Sequence, residues 1–464
     1  MQLKTQAKLF STASTRYGQN PNTQTTLLDA AYPGTLPVLN QEALRMAIQF
    51  GLSIDATLDD QCCFDRKNYF YPDLPKGYQI TQFHRPIIKN GYLSVPLSDH
   101  ELKKVHIAYA HLEEDAGKSN HHIIPGFSGI DLNRAGVPLL EIVTSPCLYS
   151  AQEVVAYLKT LHQHLLFLNI CDGNMQEGSF RCDVNLSLRP VGATTLGTRT
   201  ELKNINSFRF IEKAITLEEE RHRACITAGL PLVQETRGYS PDTNTTYVLR
   251  EKESHADYRY APDPDLRPIP VTETLLKEIK SKLLPNPSLI RESLKQDNLS
   301  VDHLDFLMTS PDHHSFYVSI KKHLKTEASM IVNFLKGPFS AALNQTNTTF
   351  EHPPLSAEDI TELLKALQSH HLSLTRAKQL LNLAIADQVS IRELIQNEPT
   401  QTTYNDLDLD ALIIKTIQEH PQQAADYRAG KTKLLSFFMG LIMKTLQGKT
   451  DPTQLAQAIQ KHLS

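Results

Sequence analysis

No two of the six cysteines are spaced as C-x-x-C, and Cys62, Cys63, Cys147, Cys171, Cys182 and Cys225 form no regular framework. The pattern excludes a disulfide scaffold and fits reduced thiols, several of them in cores. Long apolar runs are missing too. Leu434 to Met443, the most apolar segment, holds Ser436 and Gly440 and is about half the length that a membrane span needs. The opening Met1-Gln-Leu-Lys-Thr-Gln6 has no stretch able to serve as a signal peptide. Nor is there an excess of charge. Lys+Arg number 47 against 51 Asp+Glu, for a net charge of -4, so any nucleic-acid contact must come from a local basic patch. No internal repeat or low-complexity tract occurs. These absences describe a cytoplasmic protein with no membrane partner.

What is present points to a folded chain: 40% hydrophobic and 21% charged residues. At 464 residues the chain is too long for one core, so two or three domains are expected. Up to about residue 280, turns such as Pro33-Gly34, Pro75-Lys76-Gly77 and Asn90-Gly91 punctuate short alternating runs. Two helices stand out there. One opens at a capping box, Ser150-Ala-Gln-Glu153. The other starts near Asn206 or Ser207 and runs towards Arg223. Mixed strands and helices without a βαβ rhythm predict an α+β domain dominated by antiparallel sheet. From Pro285-Asn286-Pro287 the pattern turns helical, with Ser356 capping Ile360 to Leu367 and a stripe over Thr375 to Ala386. The polar stretch Asn397 to Thr403 reads as a linker to a small, lysine-bearing helical tail. The expected domains are 1–284, 285–400 and 401–464.

Several clusters carry chemistry. Phe180 to Arg189 alternates, with Phe180, Cys182, Val184, Leu186 and Leu188 on one face. Arg181, Asp183, Asn185, Ser187 and Arg189 make the other, a polar face that meets water or lines a charged cavity. Gly117-Lys118-Ser119 looks like the end of a phosphate loop, but the glycine that motif needs is Leu112, and the preceding residues are acidic. The histidine pairs 121/122, 313/314 and 370/371 are read as solvated, because adjacent side chains diverge. The serious candidates are Glu113, Glu114, Glu141, Glu177 and Asp183, carboxylates of the kind that hold Mg²⁺ against nucleotide phosphates. A solvated acidic loop is the plainer alternative. Against it, Glu141 sits in Pro138-Leu-Leu-Glu-Ile-Val143, where a carboxylate is costly unless paired. Phe64 to Asp73 and Lys76 to Gln82 interleave charge with aromatics, leaving Lys67 and Lys76 available to anions.

The chain resembles the B-subunit family of the aspartyl/glutamyl-tRNA(Asn/Gln) amidotransferases. The likeness rests on Phe64-Asp-Arg-Lys-Asn-Tyr-Phe-Tyr-Pro-Asp73, His111-Leu-Glu-Glu-Asp-Ala-Gly-Lys-Ser119, Asp131-Leu-Asn-Arg134 and Glu177-Gly-Ser-Phe-Arg-Cys-Asp183. It continues through Glu201-Leu-Lys-Asn204, Gln234-Glu-Thr-Arg237, Asp257-Tyr-Arg-Tyr260, Gly430-Lys-Thr-Lys433 and Met443-Lys444. These stand in order and span the chain end to end.

The resemblance implies a cradle-like catalytic domain, a helical domain and a tRNA-binding tail. It implies ATP-dependent transamidation of misacylated Glu-tRNA(Gln) and/or Asp-tRNA(Asn) through an acyl phosphate. Ammonia would come from a glutaminase, the family's A subunit, strapped on by a small C subunit, since this chain has no serine-glycine amidase signature. By the same resemblance Glu114 and Glu141 are expected to hold Mg²⁺, and Lys67, Tyr69 and Lys76 to line the ammonia route. Glu177 and Asp183 would lie nearby, while Lys431, Lys433 and Lys444 would meet tRNA. Two departures stand out. The family's first strand, Gly-Leu-Glu-(Ile/Val)-His, which carries further metal ligands, would precede Met1 and is not in this sequence. A start codon called too late accounts for this best, and a non-catalytic tRNA-binding scaffold is the alternative if the shortened N-terminus is genuine. Some relatives also carry four zinc-binding cysteines at the positions of Ser11, Ala13, Thr26 and Asp29, so no zinc is expected.

Overall fold

The computed structural model describes residues 1–98, 101–251, 257–283, 287–324, 326–369, 371–398, 406–428, 431, 434–445 and 452–463. One compact unit comprises Met1–Gln296 with Met308–Pro311, and a second comprises Asp297–Leu307 with Asp312–Ser464. The helix Pro287–Lys295 therefore belongs with the first unit, beyond the change of texture at residue 284.

In the first unit, helix α1 (Gln41–Ser53) starts where the Asn40 side chain accepts the Glu42 amide, and buries Leu44, Ile48 and Phe50. Strands β1 (Thr57–Leu58), β2 (Gln61–Cys62), β3 (Asp65–Asn68) and β4 (Tyr78–Thr81) follow. Then come β5 (Ile88–Pro96), β6 (Leu102–Glu114), β7 (Lys118–Ile124), β8 (Phe127–Asp131) and β9 (Pro138–Thr144). The main sheet runs β1-β5-β6-β9, antiparallel throughout. Its apolar face, including Leu93, Val95, Val105 and Ile107, joins the α1 stripe in one core. Gly91 is required here: a Cβ would stand 2.4 Å from the Ile54 side chain.

Helix α2 (Ala151–Phe167) is capped as expected, Ser150 Oγ accepting the Glu153 amide. The return bond of a capping box is replaced, because the Glu153 carboxylate accepts the Tyr149 amide and pairs with Lys103 at 2.6 Å. A second sheet follows, built from β10 (Val184–Leu186), β11 (Thr200–Leu202), β12 (Glu235–Ser240) and β13 (Thr245–Glu251). Helix α3 (Phe208–Thr227) bridges its one parallel pair, β11 and β12. The expected strand Phe180 to Arg189 is thus much shorter, although exposure still alternates from Phe180 to Leu186. Its polar face is exposed at Arg181, Asp183, Asn185 and Arg189. A third sheet orders β14 (Ala261–Pro262), β3 and β4. The α+β expectation holds for this unit, and the second unit is helical.

Within the second unit, Ser356 and Asp359 form a complete capping box at helix Ala357–Gln368. His313 is not solvated as expected: its ring lies 4.0 Å from Phe350, and burial lowers its pKa to about 4. The last helices have their own core of Ile413, Phe438, Ile442, Leu455, Ile459 and Leu463. Most of the expected linker, from residue 399 on, lies outside the described residues. No helix among those residues is long and apolar enough to cross a membrane.

Candidate active site

Strand β6 sends alternate side chains to opposite faces, so His111 and Glu113 share one side while Leu112 and Glu114 share the other. Antiparallel register places Glu141 of β9 directly opposite His111. The imidazole Nε2 stands 3.6 Å from a Glu113 oxygen and 3.8 Å from a Glu141 oxygen. One donor atom from each of the three lies within 4.8 Å of the others. That exceeds hydrogen-bond length and matches donors arranged around one ion at metal–ligand distances of about 2.0–2.6 Å.

The electrostatics agree. Although half its side chain is exposed, partial desolvation pushes the Glu141 carboxyl above its ordinary range, and the charge of Glu113 pushes it further. Burial would also raise Glu113, but the neighbouring His111 imidazole, with a smaller contribution from Lys67, outweighs it and holds the group down. Two carboxylates that share one site push each other's protonation apart in this way. His111 Nδ1 is buried and finds no hydrogen-bond partner among the described residues. An unpaired buried nitrogen and two crowded carboxylates fit a hard or borderline divalent cation.

Glu114 points away from this cluster. Its carboxylate accepts Lys76 Nζ at 2.5 Å and the Ile80 amide at 3.1 Å. The structure does not bring the expected pair Glu114 and Glu141 together: one residue along a strand reverses the face, and Glu113 rather than Glu114 stands with His111 and Glu141. Polar groups nevertheless link the two faces. Gln79 donates to the Glu114 carbonyl at 2.5 Å and accepts the Tyr69 hydroxyl at 3.3 Å. The Tyr69 ring in turn lies beside Lys67, 5.6 Å away.

Residues 1–277 match the family model described as the GatB/GatE catalytic domain, and residues 315–463 match the one described as the GatB domain. The chain is 52% identical over 463 residues to a protein of Legionella pneumophila (strain Paris) named as the B subunit of aspartyl/glutamyl-tRNA(Asn/Gln) amidotransferase. The match covers 100% of this chain and 97% of that relative. Proteins of the same name from Francisella tularensis subsp. novicida and Nitrosococcus oceani are 46% and 44% identical, again over 100% of this chain and 97% of theirs. The chain belongs to the amidotransferase B-subunit family.

Other family motifs have their own surroundings. Glu235 and Arg237 of the Gln234–Arg237 motif join Arg221 and the fully buried Glu218 in a network, with Arg237 Nε 2.9 Å from Glu218 and Arg221 3.0 Å from Glu235. Asp183 is exposed and pairs with Lys203 at 2.7 Å, and Glu177 is half-buried with its amide bonded to Asn174. Neither is among the donors around His111. Gly117 serves close packing, since a Cβ would lie 2.8 Å from the Asp73 carbonyl oxygen and 2.9 Å from that of Asp131.

At the positions where some relatives have cysteines, Asp29 accepts both Ser11 Oγ and the Thr26 amide, and pairs with the wholly buried Lys8 at 3.2 Å. In the tail, Lys431 is exposed and pairs with Asp426 at 3.0 Å. Lys433 and the side chain of Lys444 lie outside the described residues.

Sequence reasoning did not single out His111 beside Glu113 and Glu141, or Tyr258 beside Lys67, although both stand in the quoted motifs. Alternation over Leu102–Glu114 was the signal for the first. Nothing local signals Tyr258, which reaches β3 through a contact far along the chain.

Proposed function

We propose that this chain is the catalytic B subunit of a tRNA-dependent amidotransferase. In this reading it converts misacylated Glu-tRNA(Gln) and/or Asp-tRNA(Asn) into the amide form with ATP and delivered ammonia. The observation that supports it best is the convergence of His111, Glu113 and Glu141 from two strands in a chain of this family. The same convergence disfavours the alternative, a non-catalytic scaffold.

A carboxylate is a poor acyl donor because oxide does not leave. The side-chain carboxylate on the tRNA attacks the γ-phosphorus of ATP, the bond to the β-phosphate oxygen breaks, and ADP departs. Ammonia then attacks the acyl carbon of the resulting acyl phosphate, and phosphate leaves with the carbon–oxygen bond. His111, Glu113 and Glu141 would hold Mg²⁺, which when bound neutralises charge spread over phosphoryl oxygens. The half-exposed Glu141 would be the one of the three open to substrate, with the more buried Glu113 and His111 behind it. The Lys76–Glu114, Gln79 and Tyr69 series would offer ammonia a path of hydrogen-bonding groups.

The partners in this reading are a glutaminase A subunit and a small C subunit, working in the cytoplasm, with the tail meeting tRNA through Lys431, Lys433 and Lys444. The test is reconstitution with those partners. Glutamine and ATP together should convert Glu-tRNA(Gln) to Gln-tRNA(Gln), and omission of either should stop it. Binding of tRNA without ATP consumption in the full assembly would select the scaffold instead.

A further inference from the structure

The two faces of the main sheet differ in character. Leu93, Val105, Ile107 and Ala110 turn one of them into the core, each at most 2% exposed. Between the register pairs Gly91–Ile107 and Lys89–Tyr109 both strands change phase by one residue, β5 at Asn90, whose φ of 55° is left-handed, and β6 at Ala108. Because the two shift together, cross-strand partners stay on one side. The other face therefore carries Lys104, then Tyr92 opposite His106, then Tyr109, and on the next pair His111 opposite Glu141.

Over about 20 Å of strand β6 this face leads from a cation, past two aromatic stations, to the candidate metal cluster. Lys104 is exposed at the outer end. Tyr92 is 50% exposed, and its ring centre lies 4.9 Å from that of His106, whose Nδ1 is 2.6 Å from Ser145 Oγ. Tyr109 is 37% exposed, with its ring centre 6.0 Å from that of His111 and the two planes 26° apart. Lys89, opposite Tyr109, is taken by Asp59 at 3.0 Å. No large aliphatic side chain of β5 or β6 is exposed between Lys104 and His111, so the face offers a protein chain little of that surface to bury. Rings on a sheet with a cation beyond them suit single-stranded RNA, whose bases stack on rings while lysine meets phosphate.

We propose that this face is the track for the single-stranded 3′ end of the misacylated tRNA, with Tyr109 stacking the terminal base, Tyr92 a base further back and Lys104 meeting a phosphate. The proposal rests on the amidotransferase reading above. In that reading the reacting carboxylate and the terminal base hang from one ribose, so the last nucleotide must lie beside His111, Glu113 and Glu141. Tyr109 is an exposed ring next to them on the same face. The nucleotides before it must lead away from the cluster, and the sheet offers them a second ring and then a positive charge.

The experiment uses the assembled complex. It measures KM for Glu-tRNA(Gln), and affinity for uncharged tRNA that is intact or lacks its terminal base. For Tyr109→Leu, KM should rise about tenfold, while affinity for β,γ-imido-ATP stays at the parent value. Removing the terminal base should weaken binding about tenfold in the parent and hardly at all in Tyr109→Leu, because the stack is then already lost. Tyr109→Phe keeps the ring and should match the parent. Tyr92→Leu should also raise KM. Lys104→Gln, a change on an exposed side chain, should lower the slope of log affinity against log salt by about 0.7.

An equal cost of base removal in the parent and in Tyr109→Leu would overturn the stacking, as would an unaltered KM in that variant. Weakened imido-ATP affinity would give the ring to the nucleotide instead, and release of a partner subunit on sedimentation would make the face a protein interface; either result overturns the track. A parental KM for Tyr92→Leu would overturn the second station, and an unchanged salt slope for Lys104→Gln the phosphate contact. Glu113→Gln separates the track from the reading beneath it. If that change abolishes phosphate release from ATP while Tyr109→Leu leaves KM unaltered, only the track falls; if release survives it, the reading of the site itself has failed.

Discussion

His111 and Glu141 face each other across the β6–β9 pair, imidazole Nε2 to carboxylate oxygen at 3.8 Å, with Glu113 completing the triangle from the same side of β6. Each is expected to matter to the cation rather than to the fold. His111→Ala and Glu113→Gln should each lower ATP turnover by the assembled complex roughly a thousandfold, a loss of several kcal/mol. Manganese binding, followed by electron paramagnetic resonance, should weaken in parallel. Normal turnover alongside lost manganese affinity would show that the cluster holds an ion with no part in the chemistry.

Glu114 predicts a different signature. Its partner Lys76 is largely buried, so Glu114→Gln leaves a cation without its counter-charge. Removing one member of a buried pair costs about 3 kcal/mol, and urea unfolding should register that loss. The double variant Glu114→Gln with Lys76→Met should recover most of it, because no charge then stays stranded. A double variant as unstable as the single one would mean that this pair is not what stabilises the region.

Much of this was legible in the sequence. The α+β texture, the caps at Ser150 and Ser356, and the helical second half follow from patterns that repeat every two or every 3.6 residues, as local physics requires. The site was legible down to its segments but not to its faces. Glu113 and Glu114 are neighbours of one type, and only the phase of the strand decides which meets Glu141. That phase is fixed by Val105, Ile107 and other core residues many positions earlier. Likewise the aromatic support of Lys67 arises where Tyr258 is hydrogen-bonded to Asn68, about 190 residues away in sequence. No window of sequence contains such a contact.

Acidity should weaken the first unit through His164. Burial holds this imidazole down at about 4 from the ordinary 6.5, while Ser53 Oγ lies 2.7 Å from its Nε2. The unfolded chain takes up the proton near pH 6.5 and the folded chain does not until about 4. The contribution is therefore intact above pH 6.5 and is lost as pH falls towards 4, at about 2 kcal/mol between pH 7 and 5. His164→Leu binds no proton in either state, so its urea stability should fall less over the same interval. Equal losses in parent and variant would assign the acid sensitivity elsewhere.

The tail offers the cleanest separation of binding from chemistry. Helices between Asp406 and Leu463 close around Phe438, Ile442 and Ile459, none of which touches solvent, so this segment carries a core of its own. Truncation after about residue 400 should then spare ATP hydrolysis by the assembled complex and weaken its hold on tRNA. The chain's net charge is negative, so the attraction must be local, and replacing Lys431, Lys433 and Lys444 by Gln should act through salt. Each phosphate no longer neutralised lowers the slope of log affinity against log salt by about 0.7–0.9, so a triple variant that gives up three phosphates should drop by about 2–3. Phe438→Ser would lower tRNA affinity by another route, with loss of helical signal and an unselective change in slope. An unchanged affinity after truncation would move tRNA binding to another part of the chain or to its partners.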